Sequence, residues 1–113
     1  MHELSIVMNI VETAEEKVRE KHANSVESID LVIGDLAGVD SQALDYAWDS
    51  AVKNTVLQAA KRNIIHLPAM ARCLECDCEF EMKELYDQCP LCGEPLLQII
   101  QGKELQIKSM VLN

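Results

Sequence analysis

Basic residues are scarce in this chain: 10 Lys and Arg stand against 19 Asp and Glu, a formal net charge of −9 over 113 residues. Nucleic acid is thereby disfavoured as a partner, because phosphate binding needs a net-basic footprint. Long apolar runs are missing too. No segment approaches the ~18–20 apolar residues that span a bilayer, and Glu12, Glu15 and Glu16 interrupt the only candidate for a secretory signal. The expectation is a cytoplasmic protein with no membrane partner. Glycine and proline, at 4 and 3 copies, are too few for a disordered chain. Neither a phosphate-cradling glycine loop nor a nucleophile–base arrangement is present, so an enzyme reading has little support.

What is present is enough to fold. With 49% hydrophobic and 26% charged residues, the chain reads as one ordinary domain, or as one small domain plus a metal-stapled module. Its acidic surface suits a cationic or metal-carrying partner and equally serves solubility.

Four of the five cysteines form two pairs, Cys73-Leu74-Glu75-Cys76 and Cys89-Pro90-Leu91-Cys92, separated by twelve residues. A Cys-x-x-Cys turn points two thiolates at one centre, and two such turns close a tetrahedral sulfur shell with no position left for substrate. In a reducing cytosol such pairs are metal ligands rather than disulfides. The reading is structural zinc, with a rubredoxin-like iron site as the competitor. Cys78 does not fit the paired spacing and reads as a spare thiol.

Leu4, Val7, Val11, Ala14 and Val18 recur at steps of three and four, which predicts an amphipathic helix over Ser5 to His22. Ile29, Leu31 and Ile33, alternating with Asp30 and Val32 and stopping at Gly34, predict a strand. Asp40-Ser41 caps a second helix that carries Ala43/Leu44, Ala47/Trp48 and Ala51/Val52 on one face and fades near Asn54. Trp48 and Tyr46 read as core and flank of that helix, His22 as solvated, and His66 as a half-buried strand residue. The extended run Asn63 to Ala71 carries Pro68, which predicts an edge position or strand end there. Leu105, Ile107 and Val111 share one strand parity, with Lys108 on the other. This last strand is expected to return to the first half and join its sheet. The fold class expected is α+β: a small mixed three-stranded sheet with two helices, and an inserted four-cysteine zinc-ribbon or knuckle module. The domains are 1–70 with 103–113, and 71–102, the latter too short to be ordered without its metal.

The chain opens Met1-His2-Glu3. A terminal amine, the His2 backbone nitrogen and the His2 imidazole can form adjacent chelate rings, and an all-nitrogen set favours Ni(II) or Cu(II) in square-planar geometry. Glu3 could complete that shell, and so could Asp40 if the start of the second helix lies beside the start of the first. The motif requires that Met1 persist with a free amine. From the residues alone His2 is more simply read as a residue of a frayed terminus, and Asp40 as a helix cap.

The opening Met1-His2-Glu3-Leu4-Ser5, the Ile33-Gly34-Asp35-Leu36-Ala37-Gly38-Val39 turn, Pro68-Ala69, the Cys89-Pro90-Leu91-Cys92-Gly93 knuckle and the closing Glu104-Leu105-Gln106-Ile107-Lys108-Ser109 strand resemble the HypA/HybF family over the full length. These are hydrogenase maturation proteins that carry nickel to [NiFe] hydrogenases and, in some organisms, to urease. The resemblance implies nickel at the Met1 amine and His2, with help from Glu3 and Asp40, and structural zinc at Cys73, Cys76, Cys89 and Cys92. It implies the HypB GTPase and the hydrogenase large-subunit precursor as partners; separately, the chain is expected to be a monomer or weak dimer. It departs at Asp77, where relatives often carry Gly; at Cys78, commonly another polar residue; and at Gln58-Ala59 in place of a Glu-Gly pair. The function expected is a nickel metallochaperone. The alternatives are a zinc-ribbon interaction adaptor in which His2 is incidental, and a rubredoxin-like electron carrier.

Overall fold

The computed structural model describes residues 2–113, which form two helices and six strands in the order α1 (Glu3–Glu20), β1 (Val26–Gly34), α2 (Ser41–Ala51), β2 (Lys61–Leu67), β3 (Ala69–Cys73), β4 (Glu79–Met82), β5 (Leu97–Gln101) and β6 (Leu105–Leu112). The strands make two three-stranded sheets, β2-β1-β6 and β4-β3-β5. The chain divides into two compact units, Met1–Leu31 with Gly38–Ile64 and Ile107–Asn113, and Val32–Ala37 with Ile65–Gln106.

α1 begins at His2, the N-cap, with Glu3 in its first turn and Lys17 and Arg19 in its last, charges that complement the helix dipole at both ends. It stops two residues before the expected end. Ala23 donates its N–H to the Val18 carbonyl and His22 to that of Arg19, while His22 takes a left-handed φ of 54°. That is a Schellman closure, with His standing where glycine is usual. The buried face is Val7, Ile10, Ala14 and Val18, whereas Leu4 is 52% exposed and Val11 half-buried. The correction follows from helix geometry. A stripe averaging 3.5 residues per turn drifts about 20° per heptad around a straight helix, so Leu4 is carried out of the interface and Ile10 into it.

Asp40 caps α2, its carboxylate accepting the Ala43 N–H at 3.0 Å. Leu44, Ala47, Trp48 and Val52 are buried, while Tyr46 is exposed. Arg62 of β2 pairs with Asp45 and lays its guanidinium 5.2 Å from the Trp48 ring centre, holding β2 to α2.

The first sheet is mixed. Val26 N–H donates to Val56 ahead of β2, and Asp35 N–H donates to Leu67 at its end, so β1 and β2 run the same way with α2 as the crossover. Asn24 and Asn113 bond at one end of β1 and Gly34 and Glu104 at the other, so β6 runs antiparallel. β1 is therefore central, and Val32, expected to face outward, is buried with Ile29, Leu31 and Ile33. In β6 the burial parity changes at Lys108-Ser109, two successive exposed residues, leaving Met110 and Leu112 half-buried and Val111 50% exposed. A one-residue irregularity turns every later side chain to the opposite face. His66, expected half-buried, is exposed because Ile64, Ile65 and Leu67 carry the inward positions of β2.

Pro68 separates β2 from β3, the strand end its missing N–H imposes. Beyond it the second sheet is antiparallel, with Ala71 opposite Phe80 on one side and Ile99 on the other. Ala69, Ala71 and Met82 form its small core, covered by Leu36, Phe80, Leu97 and Ile99. Gly34 touches the Gly102 backbone so closely that a Cβ at Gly34 would lie 2.1 Å from the Gly102 carbonyl carbon.

Candidate metal centre

The Cys quartet sits at the far end of β3 and in the two turns beyond it. Both turns are built alike. In the first, Asp77 N–H donates to the Cys73 carbonyl at 3.0 Å and Cys73 N–H to Cys78 at 2.9 Å; in the second, Gly93 N–H donates to Cys89 at 2.8 Å and Cys89 N–H to Glu94 at 3.1 Å. The residue after each second cysteine is left-handed, Asp77 at φ 59° and Gly93 at φ 74°. This closes each turn so that both thiols point inward. Asp77 thus occupies a glycine-type position and adopts the conformation it demands.

The four Sγ atoms lie within 4.8 Å of one another, with Cys73 and Cys92 at 3.5 Å and Cys76 and Cys89 at 3.6 Å. A tetrahedral zinc with sulfurs at about 2.3 Å requires S···S edges of about 3.8 Å, which this spacing matches. Each turn contributes one buried thiol, Cys73 or Cys89, and one exposed thiol, Cys76 or Cys92. Burial raises the Cys89 thiol, but the Cys92 and Leu91 N–H groups and the neighbouring thiols outweigh it and bring it down to about 6. At Cys92 the Glu94 N–H favours the thiolate, but contact with Cys73, burial and the other thiols outweigh it and push it up to about 12. Thiolates this close oppose one another's charge, so the set calls for a cation. Cys78 is half-buried beside the turn, its Sγ directed to the Glu79 carbonyl at 3.7 Å, and is not a member of the converging group.

At the other candidate site, Glu3 and Asp40 are neighbours: the Asp40 N–H donates to the Glu3 carboxylate at 3.2 Å. That bond, then the helix-start N–H of Glu3 itself, holds the Glu3 carboxyl below its usual range, against the opposing effects of desolvation and of the Asp40 charge. His2 is exposed, its carbonyl accepting the Ile6 N–H at 3.2 Å. Met1 lies outside the described residues. Among the described residues the cysteine quartet is the group whose ligand atoms converge; the His2, Glu3 and Asp40 side chains do not form a second one.

The family model described as hydrogenase/urease nickel incorporation, metallochaperone, hypA matches residues 1–112. The chain belongs to the HypA family. The hydrogenase maturation factor HypA of Parabacteroides distasonis is 42% identical over 112 residues, covering 99% of this chain and 97% of that one. That of Francisella philomiragia is 40% identical over 113 residues, all of both chains. The fold is similar to the solution structure of the nickel metallochaperone HypA from Helicobacter pylori, at a TM-score of 0.71 and 24% identity, over 99% of this chain and 97% of that one. The expectation of a hydrogenase maturation metallochaperone, a carrier rather than a catalyst, stands on this membership. So does the α+β fold with its four-cysteine module. No described helix is long and apolar enough to cross a membrane.

The scaffold of the cysteine module lies outside the sequence expectation, which has no strands between Ala71 and Gln101; β4 and β5 flank β3 there. The signal was present as the short alternation of Leu97, Ile99 and Gln101, overshadowed by the cysteines.

Proposed function

We propose that this HypA-family chain binds Ni(II) through the Met1 amine and the His2 backbone nitrogen and imidazole. Glu3 and Asp40 are the nearby carboxylates, Cys73, Cys76, Cys89 and Cys92 hold structural Zn(II), and the nickel is passed on during hydrogenase maturation. The nickel-handling part is 1–70 with 103–113 and the zinc module 71–102. Partners are the HypB GTPase and the large-subunit precursor of a [NiFe] hydrogenase, in the cytoplasm.

The observation that carries the nickel reading is the Asp40-to-Glu3 hydrogen bond, which joins the starts of α1 and α2 next to His2. It brings Asp40 to Glu3, the residue that follows His2, and the charge of the two carboxylates favours a cation there. Two helix N-termini meet there as well, and their partial positive charge opposes a dication. The balance suits cargo: nickel is held by few donors at an exposed end, and each can leave in turn as an acceptor's donors enter.

The test is nickel titration of untagged protein, of His2→Ala and of a form extended by one residue before Met1, followed by hydrogenase activity in complemented cells. Loss of nickel binding and of activity in both altered forms, with the cysteine-bound metal and the helix content retained, supports the assignment. If His2→Ala binds nickel and restores activity like wild type, the site lies elsewhere. Normal behaviour of the extended form alone removes the amine from the ligand set.

A further inference from the structure

Four strands lie at sheet edges, β2 and β6 in the first sheet and β4 and β5 in the second. Three carry charge: Lys61 and Arg62 on β2, Lys108 on β6, and Glu79 and Glu81 on β4. Charge is the usual protection of an edge, because a free edge offers unpaired N–H and C=O groups to any extended chain. β5 reads Leu97-Gln98-Ile99-Ile100-Gln101 and has neither charge nor proline.

Its pairing with β3 is also incomplete. Met70 faces Gln101 and Ala71 faces Ile99, so Ile100 is the extra residue of a bulge. Such a residue is left out of the ladder, and the Ile100 side chain is 39% exposed. Ile99, Ile100, Gln101, Lys103 and Glu104 line a shallow open groove of about 310 Å³ alongside. The compact unit holding this sheet, Val32–Ala37 with Ile65–Gln106, has three basic residues, Arg72, Lys83 and Lys103. Against them stand nine acidic ones, Asp35, Glu75, Asp77, Glu79, Glu81, Glu84, Asp87, Glu94 and Glu104, a net of −6.

We infer that the free edge of β5 is a docking site for an extended, positively charged segment of a partner protein, which adds to the β4-β3-β5 sheet as a fourth strand. The unpaired backbone dictates that the occupant be extended, and the Ile99 and Ile100 groove takes an apolar side chain from it. The negative field selects a cationic strand. It also opposes the rival occupant, the β5 of a second copy, which brings the same −6 to the same edge. The bulge leaves few residues in regular register, so binding is weak and reversible, as transient transfer partners require.

The test uses the full-length metal-loaded protein and a seven-residue blocked peptide alternating lysine and valine, followed by backbone amide shifts and hydrogen exchange. Binding that protects amides within Leu97–Gln101, and that weakens as salt rises, is the expected result. Three controls give it meaning. The same peptide with N-methylated valines keeps its charge but cannot pair as a strand, and should bind at least about tenfold more weakly. Ile100→Lys, which adds an edge charge, should weaken the lysine–valine peptide about tenfold. Leu85→Lys, the same charge change at an exposed position off the sheet, should weaken it much less. Equal binding of the N-methylated peptide, equal loss in the two lysine variants, or shifts confined to other segments overturns the proposal. So does an absence of shifts at millimolar peptide. Concentration-dependent dimerisation that Ile100→Lys abolishes also overturns it, by making the second copy the occupant.

Discussion

The Glu3 carboxylate accepts the backbone N–H of Asp40 at 3.2 Å, so the first residue of α1 is joined to the cap of α2 across 37 positions of sequence. Asp40 in turn accepts the Ala43 N–H at 3.0 Å. Both carboxylates are thus held by backbone N–H groups at the start of α2, Glu3 by that of Asp40 and Asp40 by that of Ala43.

Glu3 therefore carries a pH signature. Its carboxyl is held below the ordinary range chiefly by the Asp40 N–H. A group with a depressed folded value contributes stability that is present above its unfolded value and is lost as pH falls through the folded one. Thermal midpoints of wild type and Glu3→Gln should differ most at neutral pH and converge on acidification below the usual carboxylate range. A difference that stays constant with pH would assign the effect to packing instead.

Asp40 needs two substitutions to separate cap from ligand. Asp40→Ala should cost about 1 kcal/mol of stability by removing the cap, while Asp40→Ser should restore most of that stability without restoring a carboxylate. Nickel titration of both, alongside urea unfolding, decides its role. Nickel binding weakened in both points to a ligand, and weakened only in the alanine form to helix placement.

The four-cysteine shell is checked against Cys78, the cysteine outside it. Cys73→Ala or Cys92→Ala should release the bound metal and disorder Ala71 to Gln101 while the helical signal survives, since such a module draws its folding energy from the ion. Cys78→Ala should retain the metal, because its thiol turns to the Glu79 carbonyl. Metal analysis by mass spectrometry distinguishes the two, and loss of metal from the Cys78 variant would reassign the ligands.

Asp77 and Gly93 occupy matching left-handed positions, at φ 59° and 74°. Asp77→Gly should leave the module as stable or raise its resistance to a chelator, whereas Gly93→Val should cost about 1–2 kcal/mol from the backbone alone. No neighbour lies within 4 Å of a Cβ at Gly93, so crowding does not contribute. Chelator competition rates measure both.

Much of this arrangement was legible in the residues, and unevenly so. The cysteine pairs declared their centre because Cys-x-x-Cys turns are local, and the Asp40 cap was readable for the same reason. The seven-residue stripe of α1 misled at Leu4, since the register of a buried face depends on what packs against it. The second sheet stayed hidden because its strands are short and their partners distant; only pairing reveals that Ala71 sits between Phe80 and Ile99. The parity change in β6 has no sequence mark at all, and neither does the contact of Gly34 with Gly102.

One cysteine of each turn is enclosed and its companion is open to solvent. An alkylating agent, an oxidant or a competing chelator therefore meets Cys76 and Cys92 before it can reach Cys73 and Cys89. Access to the centre then has a direction: the exposed pair, one thiol from each turn, is the side from which a reagent approaches, and its loss takes one sulfur from both halves of the shell. Because the order of the module depends on its ion, loss of either outer thiol loosens both turns together rather than one after the other.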